Sequence, residues 1–470
     1  MKRVAMNTCW MMLIGACTVV ASEPHPRTKV LAKPKPLPDG AVTENWPCFL
    51  GPTHNGISRE TRLLKSWPND GPTLLWSLER GTGYTSPAIV GDRLVYFHRM
   101  KDHEVVECLH SVEARLFWTF EYPTAYRDRY GYNNGPRASP VIDGDRVYTL
   151  GAEGKLHCLS MQDGAVHWSL DLMREYELEQ NFFGMGPTPL IEGDVLIVVI
   201  GKPGGPSLVG LDKLTGKERW RAGDQWTAGY ASPIPADVHG RRRVFVFLGG
   251  DSRPPTGGLL AIDPADGQLD FEFPWRSDLY ESVNASCPVI VGDQVFISAS
   301  YDTGGAMLTL KPDGGFETAW TTPALGTHWN TAIHMDGYLY GFDGRHQQGA
   351  SLVCIEAATG REMWRESPEW EQRFEQNGDT RTARFSTFRA SLLAADGAYL
   401  CLAEMGHLLW LELTPKGYKE LARTWLFAAP ETWALPVLSK GLLYVVQNHR
   451  DMLTGAPPRV LCYDLRAPSD

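Results

Sequence analysis

The chain is predicted to be all-β, an eight-bladed β-propeller of four-stranded antiparallel blades, and three observations carry that prediction. First, a module ending in tryptophan recurs: Leu211 to Trp220, Leu159 to Trp168 and Ile355 to Trp364 each place a glycine four residues before the Trp. Second, upstream of the modules stand a small residue and Pro, a short apolar stretch, a Gly-Asp or Asp-Gly turn and a β-rich strand. Ser86-Pro87 to Tyr96, Ser139-Pro140 to Tyr148 and Cys287-Pro288 to Phe296 are examples. Turn dipeptides between apolar runs are hairpin signals, so each unit reads as a four-stranded meander. Third, an aromatic in every terminal slot selects Trp76, Trp118, Trp168, Trp220, Phe271, Trp320, Trp364 and Trp425, spaced by 42 to 61 residues. That is the spacing of propeller blades.

Taken in order, seven complete units lie between Trp76 and Trp425, and an eighth begins at Trp433-Ala434-Leu435-Pro436 and runs to Leu465 without a terminal Trp. Its missing outer strand is predicted from Thr73 to Leu78, with Trp76 in the slot, so that the two chain ends complete one blade and no sheet edge is left at a seam. The longest interval, before Trp425, is assigned to an insertion around Pro415-Lys416-Gly417. Each terminal Trp is expected to fill the wedge between adjacent blades, its indole N–H on a backbone acceptor, and each turn Gly to supply a positive φ. Asp212, Asp263 and Asp343 read as turn or capping residues. Cys108, Cys158, Cys354 and Cys462 share one place in the repeat, held by Val209 and Leu260 in other copies. They are therefore small buried residues on separate blades, too far apart for disulfides.

The 470 residues are read as one ring, because a repeat architecture grows by adding blades rather than domains. Net charge is -10, and the one dense basic run, Arg241-Arg242-Arg243, reads as a solvated hairpin tip. Nucleic acid is thereby excluded as a partner, since phosphate binding needs a concentrated positive field. Lys2 and Arg3 followed by apolar residues from Cys9 to Ala21 predict a signal peptide over residues 1–22 and hence export to the periplasm or cell envelope. Val19-Val20-Ala21 offers a cleavage site. Ile14-Gly15-Ala16-Cys17 resembles a lipobox, which would make lipidation at Cys17 the chain's link to a membrane. A Pro-rich tether over 23–45, extended and sparsely packed, precedes the propeller domain of 46–470, which is expected to be a monomer. The segment Trp46-Pro47 to Gly51-Pro52 is expected to lie ordered against the ring.

In a propeller the start of each innermost strand faces the central channel. Residues three before the repeat Pro then form a ring at one mouth: Tyr84, Arg137, Gly186, Tyr230, Ala285, His328, Ala390 and Trp433. Met185, Asn284, Trp329, Asn330 and Arg389 stand beside them. Such residues either plug the channel by satisfying one another or form a pocket for a small ligand or peptide. In the pocket, aromatic faces would serve for stacking, arginines for an anion, and Asn and His for orientation. The candidate funnel site is Tyr84, Arg137, Tyr230, Asn284, His328, Trp329, Asn330, Arg389 and Trp433. No catalytic residue is assigned. No metal site is assigned either, because no carboxylate or second His stands at ligand spacing from His328. Glu404, alone in an apolar strand pair, reads as a strand-edge carboxylate bonded to backbone or as a Ca²⁺ or acid–base group.

The recurrent Thr-Gly-x-x-x-Trp hairpin, without the Trp-Asp dipeptide of WD40 blades, resembles the PQQ-like (quinoprotein alcohol dehydrogenase-like) propeller repeat over residues 74 to 466. The resemblance implies two branches. In the PQQ-dependent alcohol dehydrogenases a quinone stacks on a Trp, sits against a disulfide between adjacent cysteines and lies near Ca²⁺ held by Glu, Asn and Asp. The branch of the outer-membrane assembly factor BamB is a non-enzymatic scaffold, and the Trp46-Pro47 to Gly51-Pro52 segment looks most like exported PQQ-repeat proteins of planctomycete-type bacteria. This chain has no Cys-Cys pair and no Cys-x-x-Cys-His haem motif. The expectation is therefore a non-catalytic binding or scaffold propeller, without cofactor, that engages a protein partner or small molecule at the funnel. The alternative is a PQQ- and Ca²⁺-dependent dehydrogenase of an alcohol or sugar.

Overall fold

A computed structural model describes residues 16–19, 25–68 and 70–468. Eight antiparallel blades follow one another around a ring, and in the first seven the innermost of the four blade strands comes first in the chain. The first seven begin at Ala88–Val90, Val141–Asp143, Leu190–Glu192, Ile234–Val238, Val289–Val291, Ile333–Met335 and Ser391–Ala395. The eighth takes Val437–Ser439, Leu442–Gln447 and Arg459–Asp464 from the C-terminus and Thr73–Glu79 from the N-terminus, in the register Cys462↔Trp76. The ring is therefore closed by pairing the two chain ends. One short helix, Leu172–Glu175, is capped by the Asp171 carboxylate on the Arg174 N–H, and among the described residues no helix is long and apolar enough to cross a membrane.

One device joins neighbouring blades. The Trp118 indole donates to the Met161 carbonyl of the next blade at 3.1 Å, Trp168 to Lys213 at 3.0 Å, Trp220 to Pro264 at 3.1 Å, Trp320 to Ala357 at 3.0 Å and Trp76 to Ser111 at 3.2 Å. The acceptors lie in the outer hairpin turn, and the turn glycine of that same hairpin lies on the face of the ring. A Cβ on Gly164 would stand 2.6 Å from the Trp118 ring, and one on Gly216 2.7 Å from Trp168. Both glycines also have positive φ, 75° and 71°. The repeat spacing thus records a contact between blades: the glycine of one unit makes room for the Trp of the unit before it. Opposite each Trp on the neighbouring strand stands a small or slender residue, Cys108, Cys158, Cys354 or Cys462, and Gly210, Ala261 or Met307 in the other copies. The equivalents of the cysteines are thus Gly210 and Ala261, one place beyond Val209 and Leu260, and the cysteines are free and buried.

Blade 7 departs from the expected slot. There Trp410, on the strand where other blades carry Cys or Gly, pairs with Ala422, so the ring comes from the opposite strand and Trp425 lies three residues beyond the slot. The Trp410 indole donates to Leu64 O at 2.9 Å. The reason lies in closure: the outer strands of blade 8 come from opposite chain ends, no hairpin turn joins them, and an N-terminal segment supplies the missing carbonyl. The insertion before Trp425 is also elsewhere than around Pro415-Lys416-Gly417, which is a tight turn. It is a two-stranded hairpin, Glu369–Gln376 with Asp379–Ser386, between blades 6 and 7.

This hairpin closes over His407, which is fully buried and stacked on Trp425 at 4.8 Å with an angle of 6°, with Trp370 edge-on at 4.8 Å and Phe385 at 5.1 Å. Burial, reinforced by Arg423, lowers the His407 pKa to about 3. Because the folded value lies below the unfolded value near 6.5, the unfolded chain binds a proton between these limits that the native state excludes. Stability from this site is complete above about pH 6.5 and falls as pH drops towards 3. His407→Phe is expected to remove about 2 kcal/mol of the stability loss between pH 7 and pH 5. Urea melts of the variant and parent at the two pH values measure it, and parallel losses would refute this account of His407.

The N-terminal segment is better anchored than a loose tether. Thr28–Val30 adds a fifth strand outside Thr73–Glu79. His25 Nε2–H donates to Glu107 at 3.2 Å, while its Nδ1 accepts from the Arg27 N–H, and the Arg27 side chain reaches the same carboxylate. Hydrogen bonds from His25 and His98 overcome burial and hold Glu107 well below the usual carboxylate range. Farther on, Trp46 bridges Ile89, Pro47 O accepts from Ile142 N at 2.9 Å and Ile57–Ser58 pairs in parallel with Ala394-Ala395. The predicted leader lies outside the described residues apart from Ala16–Val19, whose backbone, Cys17 included, pairs along the outer strand of blade 1. Arg241-Arg242-Arg243 is an ion-paired strand rather than a solvated tip: Arg241 and the buried Arg243 share Asp270, and Arg242 bonds Glu192 and Asp237.

Candidate functional site

The loops leading from each outermost strand to the next innermost strand gather at one mouth, where five predicted residues meet. Arg137 lies over the Tyr84 ring at 5.8 Å, Tyr84 packs on Trp433 at 5.1 Å, Arg389 lies over Trp433 at 5.4 Å and Trp329 stands 6.2 Å from it. Tyr230 joins through two residues that the slot rule misses: Trp433 packs on Tyr132 at 5.7 Å, Tyr132 on Phe183 at 5.6 Å and Phe183 on Tyr230 at 5.4 Å. The Tyr230 hydroxyl accepts from the Phe183 N–H at 2.7 Å. Gly186 makes this possible, since a Cβ there would sit 2.5 Å from the Tyr230 ring. These rings arrive from loops on opposed sides of the propeller and close the axis.

The charges at the mouth are paired internally. Arg389 forks onto the fully buried Glu404, Nε at 3.1 Å and Nη2 at 2.5 Å, and Trp433 Nε1 donates to the same carboxylate at 2.8 Å. Glu404 is thus the side-chain partner of two predicted site residues rather than a strand-edge carboxylate bonded to backbone, and among the described residues no group of three His, Cys, Asp or Glu side chains is placed to hold a metal ion. Arg137 bonds the buried Asp128 at 2.8 Å, and Asp128 also caps its loop through the Tyr130 N–H at 2.9 Å and the Tyr132 N–H at 3.1 Å. Tyr84 donates to Glu431, which His449 also meets at 2.8 Å. Against the upward push of burial, these two bonds hold Glu431 below the usual carboxylate range, while burial and Glu431 push the Tyr84 phenol up.

The remaining candidates do other work. Asn284 is buried and donates to Leu248 O at 2.7 Å and Trp275 O at 2.9 Å, fastening loops of blades 4 and 5. Asn330 donates to Ala390 O at 3.0 Å. His328 turns towards blade 5, its Nε2 3.1 Å from the Tyr301 hydroxyl, and burial together with Arg389 and Arg345 lowers its pKa to about 3. It is a neutral imidazole.

Outside the plug, Tyr130 is 54% and Tyr132 41% exposed. Phe182, Phe183 and Tyr280 pack beneath and beside them, Phe183 on Tyr130 at 5.5 Å and Phe182 on Tyr280 at 5.3 Å. Arg253 caps Tyr280 at 3.7 Å, and Arg129 reaches Asp251 at 3.0 Å. Leu279 and Met452 are exposed on the same face. The result is an aromatic and arginine collar around a filled centre. Its sequence signal was the aromatic density of the loops, Tyr126, Tyr130 and Tyr132 in one and Phe182-Phe183 in the next, and not any repeat position.

Residues 102–366 match the family model described as outer membrane protein assembly factor BamB. Among solved structures, BamB from Moraxella catarrhalis is similar, with 15% identity and a TM-score of 0.55 over 84% of this chain and 100% of that one. A europium-containing methanol dehydrogenase is similar at 10% identity and a TM-score of 0.61, over 88% of this chain and 96% of its own. The quinohemoprotein alcohol dehydrogenase of Comamonas testosteroni is similar at 12% identity and 0.61, over 91% and 81%. At these identities the likeness shows the fold. No curated protein matches the chain.

Proposed function

The chain belongs to the family of the outer membrane protein assembly factor BamB, and on that premise we propose that it is a non-catalytic binding propeller of the cell envelope that engages a protein partner through the collar at its mouth. The carrying observation is an exposed aromatic patch, Tyr130 and Tyr132, mounted on a self-paired plug. Exposed tyrosines with neighbouring arginines on a rigid base have the composition of binding hot spots: large contact area, little entropy to lose and a polar end for each ring. Asp128 fixes both tyrosine N–H groups before a partner arrives, which lowers the ordering cost of association.

The dehydrogenase reading finds less support. A quinone needs an open ring-stacking slot and free donors, whereas Trp433 is covered by Tyr84, Tyr132 and Arg389, and both arginines are held by buried carboxylates. Fold likeness does not carry the chemistry across.

A photo-crosslinking residue at position 132 is expected to give a discrete protein adduct in envelope preparations, and one at Leu214, exposed on an outer hairpin, to give none. Tyr130→Ala with Tyr132→Ala should weaken capture at least about tenfold. Quinone-dependent dye reduction with PQQ, Ca²⁺ and alcohols, above the rate without protein, would overturn the proposal.

A further inference from the structure

The hairpin of Glu369–Gln376 with Asp379–Ser386 stands apart from the blades in how it is attached. Among the described residues its ladder joins only these two strands, and no blade strand pairs with either. Its side-chain bonds also stay within the arm, Glu369 with Arg384 and Glu375 with Thr380. Backbone bonds secure the base alone: the Thr387 N–H donates to Pro368 O at 3.2 Å, and Thr387 O accepts from the Glu404 N–H at 3.4 Å. Beyond that base the arm is held to blade 7 through its rings, Trp370 and Phe385 on His407, Phe374 on Trp425 at 5.6 Å, and Arg423 over the Trp370 face at 4.5 Å. An isolated two-stranded hairpin is marginal in water, so the arm needs this contact to stay formed.

The contact carries a defect. Both nitrogens of the fully buried His407, and Trp370 Nε1 above it, lack a hydrogen-bond partner. Buried polar groups are normally paired, and lifting the arm would return all three atoms to water. Nothing around the imidazole is arranged to hold a proton on it. The arm turns Trp370 and Phe385 towards it, while Glu369, Glu371, Arg373 and Glu375 alternate onto the exposed face of the strand, and Arg381 and Arg384 of the second strand are exposed. From blade 7 the nearby charges are Arg423, bonded to Glu420 at 2.8 Å, and Glu404, taken by Arg389 and Trp433.

We propose that the hairpin is a lid hinged at Pro368 and Thr387, and that acid lifts it by protonating His407 beneath. In the closed state burial and Arg423 lower the imidazole pKa to about 3, whereas a solvated histidine titrates near 6.5. As pH falls below about 6.5 the open state takes up a proton that the closed state refuses, so the opening constant rises, about tenfold between pH 8 and pH 5.5. The arm belongs to the loops that gather at the mouth, so lifting it bares Trp425, Phe374 and Phe385 on the side of the plug. This device is independent of any partner at Tyr132.

Hydrogen–deuterium exchange of the full chain, read by mass spectrometry and divided by the intrinsic rate at each pH, tests it. Peptides from 369–386 should lose about tenfold in protection between pH 8 and pH 5.5, while peptides from the Val195–Val199 strand of blade 3 keep theirs. His407→Phe should hold the hairpin's protection level across that range. His407→Gln, which keeps a polar side chain that takes no proton, should do the same, and a melt at pH 8 shows which variants are folded. Protection of the parent hairpin that does not change with pH overturns the proposal. So does a loss of the parent's size in a folded variant, or an equal loss in blade 3, which would report unfolding of the whole ring.

Discussion

Removal of residues up to Glu79 is expected to abolish the soluble, cooperatively melting protein. Thr73–Glu79 supplies the fourth strand of blade 8, and Leu75, Trp76 and Leu78 are fully buried there. Without it the Arg459–Asp464 strand becomes an open edge, the Trp76 contact with the Ser111 carbonyl of blade 1 disappears and the ring has a seam. Burying a large side chain contributes about 1.5–3 kcal/mol, so losing three removes about 4.5–9 kcal/mol, comparable with the whole net stability of most domains, about 5–15 kcal/mol, before the lost strand ladder is added. Size-exclusion chromatography and a thermal melt decide it. A monomeric variant with a single sharp transition would show that blade 8 closes without the N-terminal strand. Truncation only to Asp39 should keep the fold yet lower its stability measurably, because His25 and Arg27 leave Glu107 and the Thr28–Val30 strand goes with them.

Glu404→Ala should cost about 3–5 kcal/mol, the scale for breaking a buried pair by removing one member. The carboxylate accepts from Arg389 and from Trp433 Nε1, and both donors would be stranded in a setting where Arg389 is only 13% exposed. The combined variant Glu404→Ala with Arg389→Met removes the orphaned charge and should recover part of the loss, because a missing pair is less harmful than half of one. Urea denaturation of the two single variants and the double variant gives the coupling. If the single and double losses add, the ion pair does not organise the plug.

How far the sequence reveals this molecule depends on the distance over which its contacts are encoded. A blade is a run of tight hairpins, so the turn glycine and the aromatic four residues later print the architecture directly, and ring closure by Trp76 is legible because one unit lacks its Trp and the segment before the first unit has one to spare. Blade 7 is where that reasoning slips. The space between blades needs one large ring, and Trp410 with Ala422 fills it as well as the usual arrangement with the sides exchanged. Arg243 was misread for a related cause, since its partner Asp270 lies on another strand of the same blade and no local spacing announces it. The funnel was half legible. The strand-start slot contributes Tyr84, Arg137 and Trp433 to the cluster at the mouth, and Trp329 and Arg389 stand beside that slot, but the groups that decide their state, Asp128, Glu404, Glu431, Tyr132 and Phe183, come from loops of unequal length or from other blades.

The segment from Trp46 to Glu60 touches the innermost strands of blades 1, 2, 7 and 8, through Ile89, Ile142, Ala394 and Lys440-Gly441. Between these contacts Leu50 packs with Ile234 and Cys287 of blades 4 and 5. A segment that reaches opposed blades has to pass across the axis, so it stoppers the far end. The propeller is consequently closed at both ends, by the plug at the mouth and by this segment opposite it, and nothing can thread through it. A partner therefore meets the ring at the mouth through the loops that carry Tyr132 and Phe183, and a change that stiffens them in their bound conformation should raise affinity, because less ordering remains to be done on binding.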